Sequence, residues 1–391
     1  MKKVCFWFDR PNNKVNLWNN MESGFLQDDL LSKMYFDYEI KYRNRDSIKK
    51  SDLNLYLIEL PFQDLKKFYG LLKSKAANWL RNNPLVNIVV YLPQEAAFLN
   101  NDWDHFLFFH NEFPELPNKK YFIFGNINVK KNYENTDYKS FDKVFGFDYF
   151  EYWTYFNINP IPKNLINKEK NFLSLNRHLT GKRLALLSLL HKENLFDAGY
   201  VSNLKILSPD PAYIEDAKNL VQTQDKNYIN KILEGPPNIL DTYDCYEPTE
   251  HDKVNLNPFY NKSFFSLISE TVTFDLFITE KTYKAIIHQH PFIVWSAPYT
   301  LEYLKNKGYE TYSSIFDESY DKEIDESKRL YMIIEEIKKI INWSSKEKKQ
   351  KFKSVQRIAE YNKNLLEERA EHNYKKQWYD IIEEIINDQK N

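Results

Sequence analysis

Two stretches of the chain gather side chains able to grip a charged ligand. In one, residues 263–268 are apolar and aromatic enough for a buried strand, and a carboxylate, Glu270, follows closely. Thr279 then stands where a helix N-cap belongs, before Glu280, Lys281 and a helical run to about Gln289. Pro291-Phe-Ile-Val-Trp-Ser296 opens a second apolar strand. In the other stretch, Asn171-Phe-Leu-Ser-Leu-Asn176 is a strand, Arg177, Lys182 and Arg183 come next, and 184–190 continue as a helix. Both are strand-to-helix junctions. At that edge of an open α/β sheet ligands bind, and a helix N-terminus there attracts phosphate. Cations at two such junctions are what the transfer of a phosphate-activated group needs to neutralise its leaving group.

Each residue also has a plainer role open to it. An Arg or Lys in a first helical turn is often a solvated charge, and Glu280 can complement a helix dipole. Glu270 can cap a turn. Phe277 reads as core, with stacking on a base as the lesser alternative. His288 and His290 are two residues apart, which does not place both on one helical face, so they read as packing or surface histidines and not as metal ligands.

The first stretch resembles the donor-binding motif of the α-1,3-fucosyltransferases, in which a Glu-Asn pair precedes a Val/Ile-Thr-Glu-Lys at the same spacing. Glu270 matches the first Glu and Ile278-Thr279-Glu280-Lys281 the tetrapeptide, while Thr271 replaces the Asn and Phe277 stands where Tyr is common. The trailing Pro-Phe-Ile-Val is similar to the family's Pro-Ile/Val-Val strand. The second stretch also resembles that family, where a strand ending in Ser-Asn precedes an Arg-bearing helix; Asn176 and Arg183 match it, with Leu175 in place of the Ser. The resemblance spans residues 172–296. It implies that Arg183 and Lys281 grip a diphosphate, that Glu280 accepts from the nucleotide ribose, and that Glu270 lies close to the transferred sugar. It also implies a donor site built of Asn176, Arg177, Arg183, Phe277, Thr279, Glu280 and Lys281. The general base is expected from the N-terminal half, at the end of a strand. Glu95 fits that place, and Asp102, Asp104 and Glu112 compete with it.

The elements that must position these groups follow from the rest of the chain. At 391 residues, two domains are expected. With 42% hydrophobic and 16% aromatic residues there is material for two cores, which excludes wholesale disorder. A net charge of −1 gives no global case for nucleic acid or an anionic membrane, although the pairs Lys66-Lys67, Lys119-Lys120 and Lys130-Lys131 could form local patches. Two cysteines, Cys5 and Cys245, fit a reducing compartment and can build neither a disulfide framework nor a four-cysteine zinc site. The N-terminal apolar run stops at Asp9, too short for a signal peptide, and no stretch approaches the roughly 20 apolar residues of a membrane span. A cytoplasmic protein is expected.

Residues 3–8, 53–60, 87–92, 106–109 and 121–125 read as strands, with helical spacing over 25–36 and 63–81. Apolar strands separated by helices argue a parallel sheet covered on both faces. The eight glycines form neither a Gly-x-Gly-x-x-Gly nor a Walker pattern. The prolines of Asn157-Ile-Asn-Pro-Ile-Pro-Lys163 mark a linker. Beyond it, helices are expected near 210–223, 226–233, 300–307 and 321–341, with 311–316 extended and a helical tail. The expected fold class is α/β, two Rossmann-like domains facing a cleft (GT-B type) with a C-terminal helical extension. The domains are 1–158 for the acceptor, 159–345 for the nucleotide-sugar, and 346–391 as helices packing back on the first.

The function this implies is an inverting, metal-independent glycosyltransferase that moves a sugar from a GDP- or UDP-linked donor to a glycan hydroxyl, with no cofactor. A DNA-base glycosyltransferase and a non-catalytic binding protein on a degenerate fold are the alternatives.

Overall fold

The computed structural model describes residues 4–8, 38–42, 47–50, 52–59, 76–92, 110, 115–125, 129–158, 160, 168–176, 179–203, 210–238, 240, 257–273 and 275–388. The chain divides into two compact units: residues 1–152 with 370–391, and residues 153–369.

The first unit is built on a parallel sheet of β1 (Val4–Phe8), β2 (Tyr38–Tyr42), β3 (Leu53–Glu59), β4 (Val86–Leu92), β5 (Lys120–Phe124) and β6 (Lys143–Gly146), in the order β2-β1-β3-β4-β5-β6. Helices α1 (Ala77–Arg81), α2 (Val129–Glu134) and α3 (Tyr149–Asn157) follow in the chain. β2 and β6 are absent from the expected strands because each is short and carries charged residues, Glu39 and Lys41 in one and Lys143 in the other. Trp7, Tyr56, Ile88, Val90, Phe122 and Phe124 make a core with less than 1% of each exposed. Trp7 Nε1 donates to Asn54 Oδ1 at 2.9 Å, which satisfies the one polar atom of that large buried ring. The expected strand at 106–109 and helix at 25–36 lie outside the described residues.

The second unit has a parallel sheet of β7 (Lys170–Ser174), β8 (Gly199–Val201), β9 (Ser263–Ser269) and β10 (Phe292–Trp295), ordered β10-β9-β7-β8. Its helices are α4 (Gly181–Lys192), α5 (Pro211–Leu220), α6 (Lys226–Glu234), α7 (Asn257–Lys262), α8 (Glu280–Ile287), α9 (Thr300–Asn306), α10 (Glu326–Ile341), α11 (Ser345–Ser354) and α12 (Gln356–Glu368). A π-helical turn, Arg369–Asn373, leads into α13 (Tyr374–Asp388), which belongs to the first unit. There Trp378 packs against Tyr91 and Phe147, with ring centroids at 5.5 and 5.6 Å.

Residues 311–316 are not extended. The N–H groups of Ile315 and Phe316 return to Tyr312 O at 2.9 and 3.0 Å, and this turn sends the Tyr312 and Phe316 rings inward together. The long helix expected over 321–341 is divided: Glu318–Lys322 is a 3-10 turn, and α10 begins at Glu326 because Asp325 caps it, accepting from Lys328 N–H. No helix among the described residues is long and apolar enough to cross a membrane.

Candidate functional site

The order of the second sheet locates the site. From β7 the chain passes to β8 on one side and returns to β9 on the other, continuing to β10. Direction therefore reverses between β7 and β9, the place where open α/β sheets bind ligands beyond their carboxyl ends. The two stretches singled out in the sequence are the continuations of these two neighbouring strands: α4 follows β7 and α8 follows β9.

Helix α8 starts where its capping residue dictates. Thr279 is the N-cap, its Oγ1 accepting from Lys281 N–H. At the other end Gln289 adopts a left-handed φ of 52°, its N–H bonding to Ile286 O and that of His290 to Ala285 O, a Schellman ending. Glu270, 1% exposed, ties this helix to the strand before it. Its N–H donates to Trp295 O at 3.0 Å, extending the β9–β10 ladder. Its Oε1 accepts from Thr279 N–H at 3.1 Å and Thr282 Oγ1 at 2.6 Å, and its Oε2 accepts from Thr279 Oγ1 at 2.6 Å.

The charged pair at the helix start lies partly open, Glu280 and Lys281 each with 24% of the side chain exposed. The Lys281 ammonium donates to Thr279 Oγ1 at 3.0 Å, Glu280 Oε1 at 3.2 Å and Thr271 Oγ1 at 3.3 Å. The threonine that replaces the family's asparagine is thus a direct partner of the motif lysine. Burial works to raise the Glu280 carboxyl, but Lys281 and Lys284 outweigh it and hold the group at about 2, ionised at any moderate pH.

At the β7 edge, Asn176 is fully buried. Its N–H donates to Ser202 Oγ at 2.7 Å and its amide Nδ2 to Ser174 Oγ at 3.0 Å. Thr180 precedes α4, whose first turn carries Gly181, Lys182 and Arg183, and Arg183 is 6% exposed. A β-carbon on Gly181 would stand 2.4 Å from Asp216 Cβ and 2.9 Å from Tyr213 O, so glycine lets α4 begin against the backbone of α5.

The two junctions meet at one carboxylate that the sequence did not single out. Glu326, in the first turn of α10, accepts from Thr273 Oγ1 and lies 3.6 Å from the Lys182 ammonium. Beside it Arg329, 1% exposed, donates to Glu323 O at 2.6 Å and to Thr273 O at 3.2 Å, pinning the loop that leads to α8. A signal for Arg329 was present. It falls on the apolar stripe of α10, four residues before Ile333 and eight before Ile337, where a charge needs a buried partner.

Buried polar atoms without a hydrogen-bond partner among the described residues occur at the end of every strand of this sheet: Asn203 Oδ1 after β8, Asn176 Oδ1 after β7, Ser269 Oγ closing β9, and Trp295 Nε1 with Ser296 Oγ at β10. Buried polar groups in folded proteins are nearly always paired, so these atoms leave hydrogen-bonding capacity for water or a polar ligand at this edge.

The remaining expected residues divide. Phe277 is 6% exposed, as a core residue would be. His290 is buried, with Nδ1 2.7 Å from Ser266 Oγ and Nε2 2.9 Å from Ser263 O. His288 stacks on Tyr260 with ring centroids at 4.1 Å, and burial with Lys284 alongside pushes its imidazole down to about 3. Arg177, His178, Glu95, Asp102, Asp104 and Glu112 lie outside the described residues. Among the described residues, no group of three or more His, Cys, Asp or Glu is placed to hold a metal ion.

No family model matches the chain. No curated protein matches it either. Among solved structures, the chain is similar to a DNA-modifying β-glucosyltransferase determined with and without its substrate uridine diphosphoglucose, at 10% identity over 96% of this chain and 99% of that one, TM-score 0.45. It is similar to T4 phage BGT in complex with UDP and Mn2+ at 11% identity over 96% and 99%, TM-score 0.43. An α1,3-fucosyltransferase gives 12% identity over 92% of this chain and 90% of that one, TM-score 0.34. At such identities and scores these likenesses assign no activity to the chain.

Proposed function

We propose that the chain is a glycosyltransferase of GT-B type that moves a sugar from a nucleotide-activated donor to an acceptor hydroxyl. The observation that carries this reading is the meeting of two strand-to-helix junctions, with Lys281 on one and Lys182 and Arg183 on the other, at the point where the second sheet reverses direction.

In this reading the donor lies across that edge. Lys281 and Arg183 face the diphosphate, with the N-terminus of α8 adding its dipole. Lys281 releases partners such as Thr271 to take phosphate oxygens. The ionised Glu280 accepts from ribose hydroxyls. Glu270 acts as a positioning residue, because both of its oxygens are occupied in holding Thr279 and Thr282. A general base, with Glu95 the candidate, takes the proton from the acceptor hydroxyl. The acceptor oxygen then bonds to the anomeric carbon as the bond to the diphosphate breaks, and charge passes to the diphosphate, where the cations receive it. One displacement inverts the anomeric centre. With two cations to neutralise the leaving group, the reading requires no metal.

A glycan hydroxyl is the acceptor proposed. The test is release of nucleoside diphosphate from UDP- and GDP-linked sugars, with EDTA present, against a panel of glycans and duplex DNA carrying modified bases. Release stimulated by one acceptor class supports transfer and names that class. If the donor binds and no acceptor stimulates release, the chain is a binding protein on this fold.

A further inference from the structure

We infer that the end of β10 carries a stacking subsite for a planar heteroaromatic ring of the nucleobase class, with Tyr299 as its platform. The inference rests on the nucleotide-sugar reading and adds where the base of that ligand is held.

Tyr299 is 47% exposed, and its ring and hydroxyl have no aromatic or hydrogen-bond partner among the described residues. Its φ is 64°, in the left-handed region that costs a bulky residue energy and favours glycine. The surroundings fix that conformation. Tyr299 N–H donates to Asp321 O at 2.7 Å, and Tyr299 O accepts from Tyr303 N–H at 2.9 Å. The Asp321 carboxylate takes Leu301 N–H at 2.9 Å and Glu302 N–H at 3.3 Å, while Thr300 Oγ1 donates to Ala297 O at 2.7 Å. A strained residue held from several sides, with its aromatic ring left open, is pre-organised for contact.

Two independent features point the same way. Four and three residues before it, Trp295 and Ser296 are at most 1% exposed and leave Nε1 and Oγ without partners among the described residues. An indole N–H can only donate, so its complement is an acceptor atom of the kind that the carbonyl oxygens and ring nitrogens of a nucleobase carry. The second feature is placement. β10 is one strand beyond β9, so its end stands about one and a half strand spacings, roughly 7 Å, from the reversal point between β7 and β9. Phe277, the other aromatic of the motif region, is buried and cannot offer a face.

The test is calorimetric titration of UDP, GDP and inorganic pyrophosphate into the parent chain and into Tyr299→Phe, Tyr299→Ala and Tyr299→Gly. The Phe variant keeps the nucleoside diphosphate affinity. The Ala and Gly variants lose about tenfold, the scale of one base–aromatic stack, with pyrophosphate binding unchanged. The Gly variant melts no lower than the parent, since glycine relieves the φ of 64°, so its loss of affinity cannot come from unfolding. Equal nucleotide affinity in Tyr299→Ala and the parent, or an equal fall for pyrophosphate and nucleotide, overturns the subsite and leaves the transferase reading standing. A parent chain that binds no nucleoside diphosphate overturns that reading and the subsite with it.

Discussion

Glu270 shows how a side chain matched to a motif takes its meaning from partners that spacing alone does not reveal. A carboxylate 1% exposed with three hydrogen bonds holds the start of α8 to the end of β9. Glu270→Gln replaces one accepting oxygen with an amide donor facing Thr279 or Thr282, and should cost about 1–3 kcal/mol of stability in a denaturant titration. Thr279→Ala removes the cap and also the hydrogen bond to Glu270 Oε2, and should cost about 1–3 kcal/mol by the same measurement. The Thr279 cap was legible, because an N-cap, Glu280 and an apolar run are neighbours in the chain. Glu326 was not legible as a site residue, since its contact with Thr273 reaches across 53 residues; the apolar stripe marked Arg329 as a buried charge, but not its partner 56 residues away. Tyr299 gave no sign either: nothing in Ala-Pro-Tyr-Thr requires a left-handed φ.

At the scale of elements, α4 and α8 were both expected, α8 from its Thr279 cap and α4 from its apolar run and first-turn cations, and both begin within a few residues of those signals. The closeness of α4 to α5 was hidden, because it depends on a missing β-carbon at Gly181 and not on a pattern. Gly181→Ala should therefore push α5 away from the start of α4 and destabilise the second unit by about 1–3 kcal/mol, the range for overpacking. Thermal melts compared with Lys182→Ala, which removes a partly exposed charge next door, would separate the steric effect from an electrostatic one. Segment 311–316 was misread as extended because Thr311, Tyr312 and Phe316 are good strand formers. Burial of Tyr312 and Phe316 on one side overrode that preference.

For the whole molecule, the two parallel sheets were readable as apolar runs, whereas the return of α13 to the first unit depends on contacts between residues more than 200 apart. Asp388, at the end of α13, accepts from Tyr121 Oη at 2.7 Å and lies 3.1 and 3.6 Å from the ammonium groups of Lys119 and Lys143. Burial works to raise its carboxyl, but Tyr121 and the two lysines hold it below the ordinary value. A depressed carboxyl contributes stability that is present above its unfolded pKa, about 3.9, and is lost as pH falls through the folded value. Asp388→Asn should thus lower the melting temperature of the first unit at pH 7, and the difference from the parent should shrink as pH falls below about 4. A difference that stays constant with pH would contradict the electrostatic role. Trp378→Ala should cost about 3–5 kcal/mol by opening a cavity against Tyr91 and Phe147.

The central claim is that the reversal point of the second sheet holds a nucleotide diphosphate through Lys281. The measurement that tests it most directly is titration of UDP, GDP and dTDP against the parent chain and Lys281→Ala. One nucleotide should bind the parent, and the variant should bind it more weakly by about 1–3 kcal/mol, the scale of a charge-assisted hydrogen bond. Equal binding by a folded Lys281→Ala variant would contradict the claim.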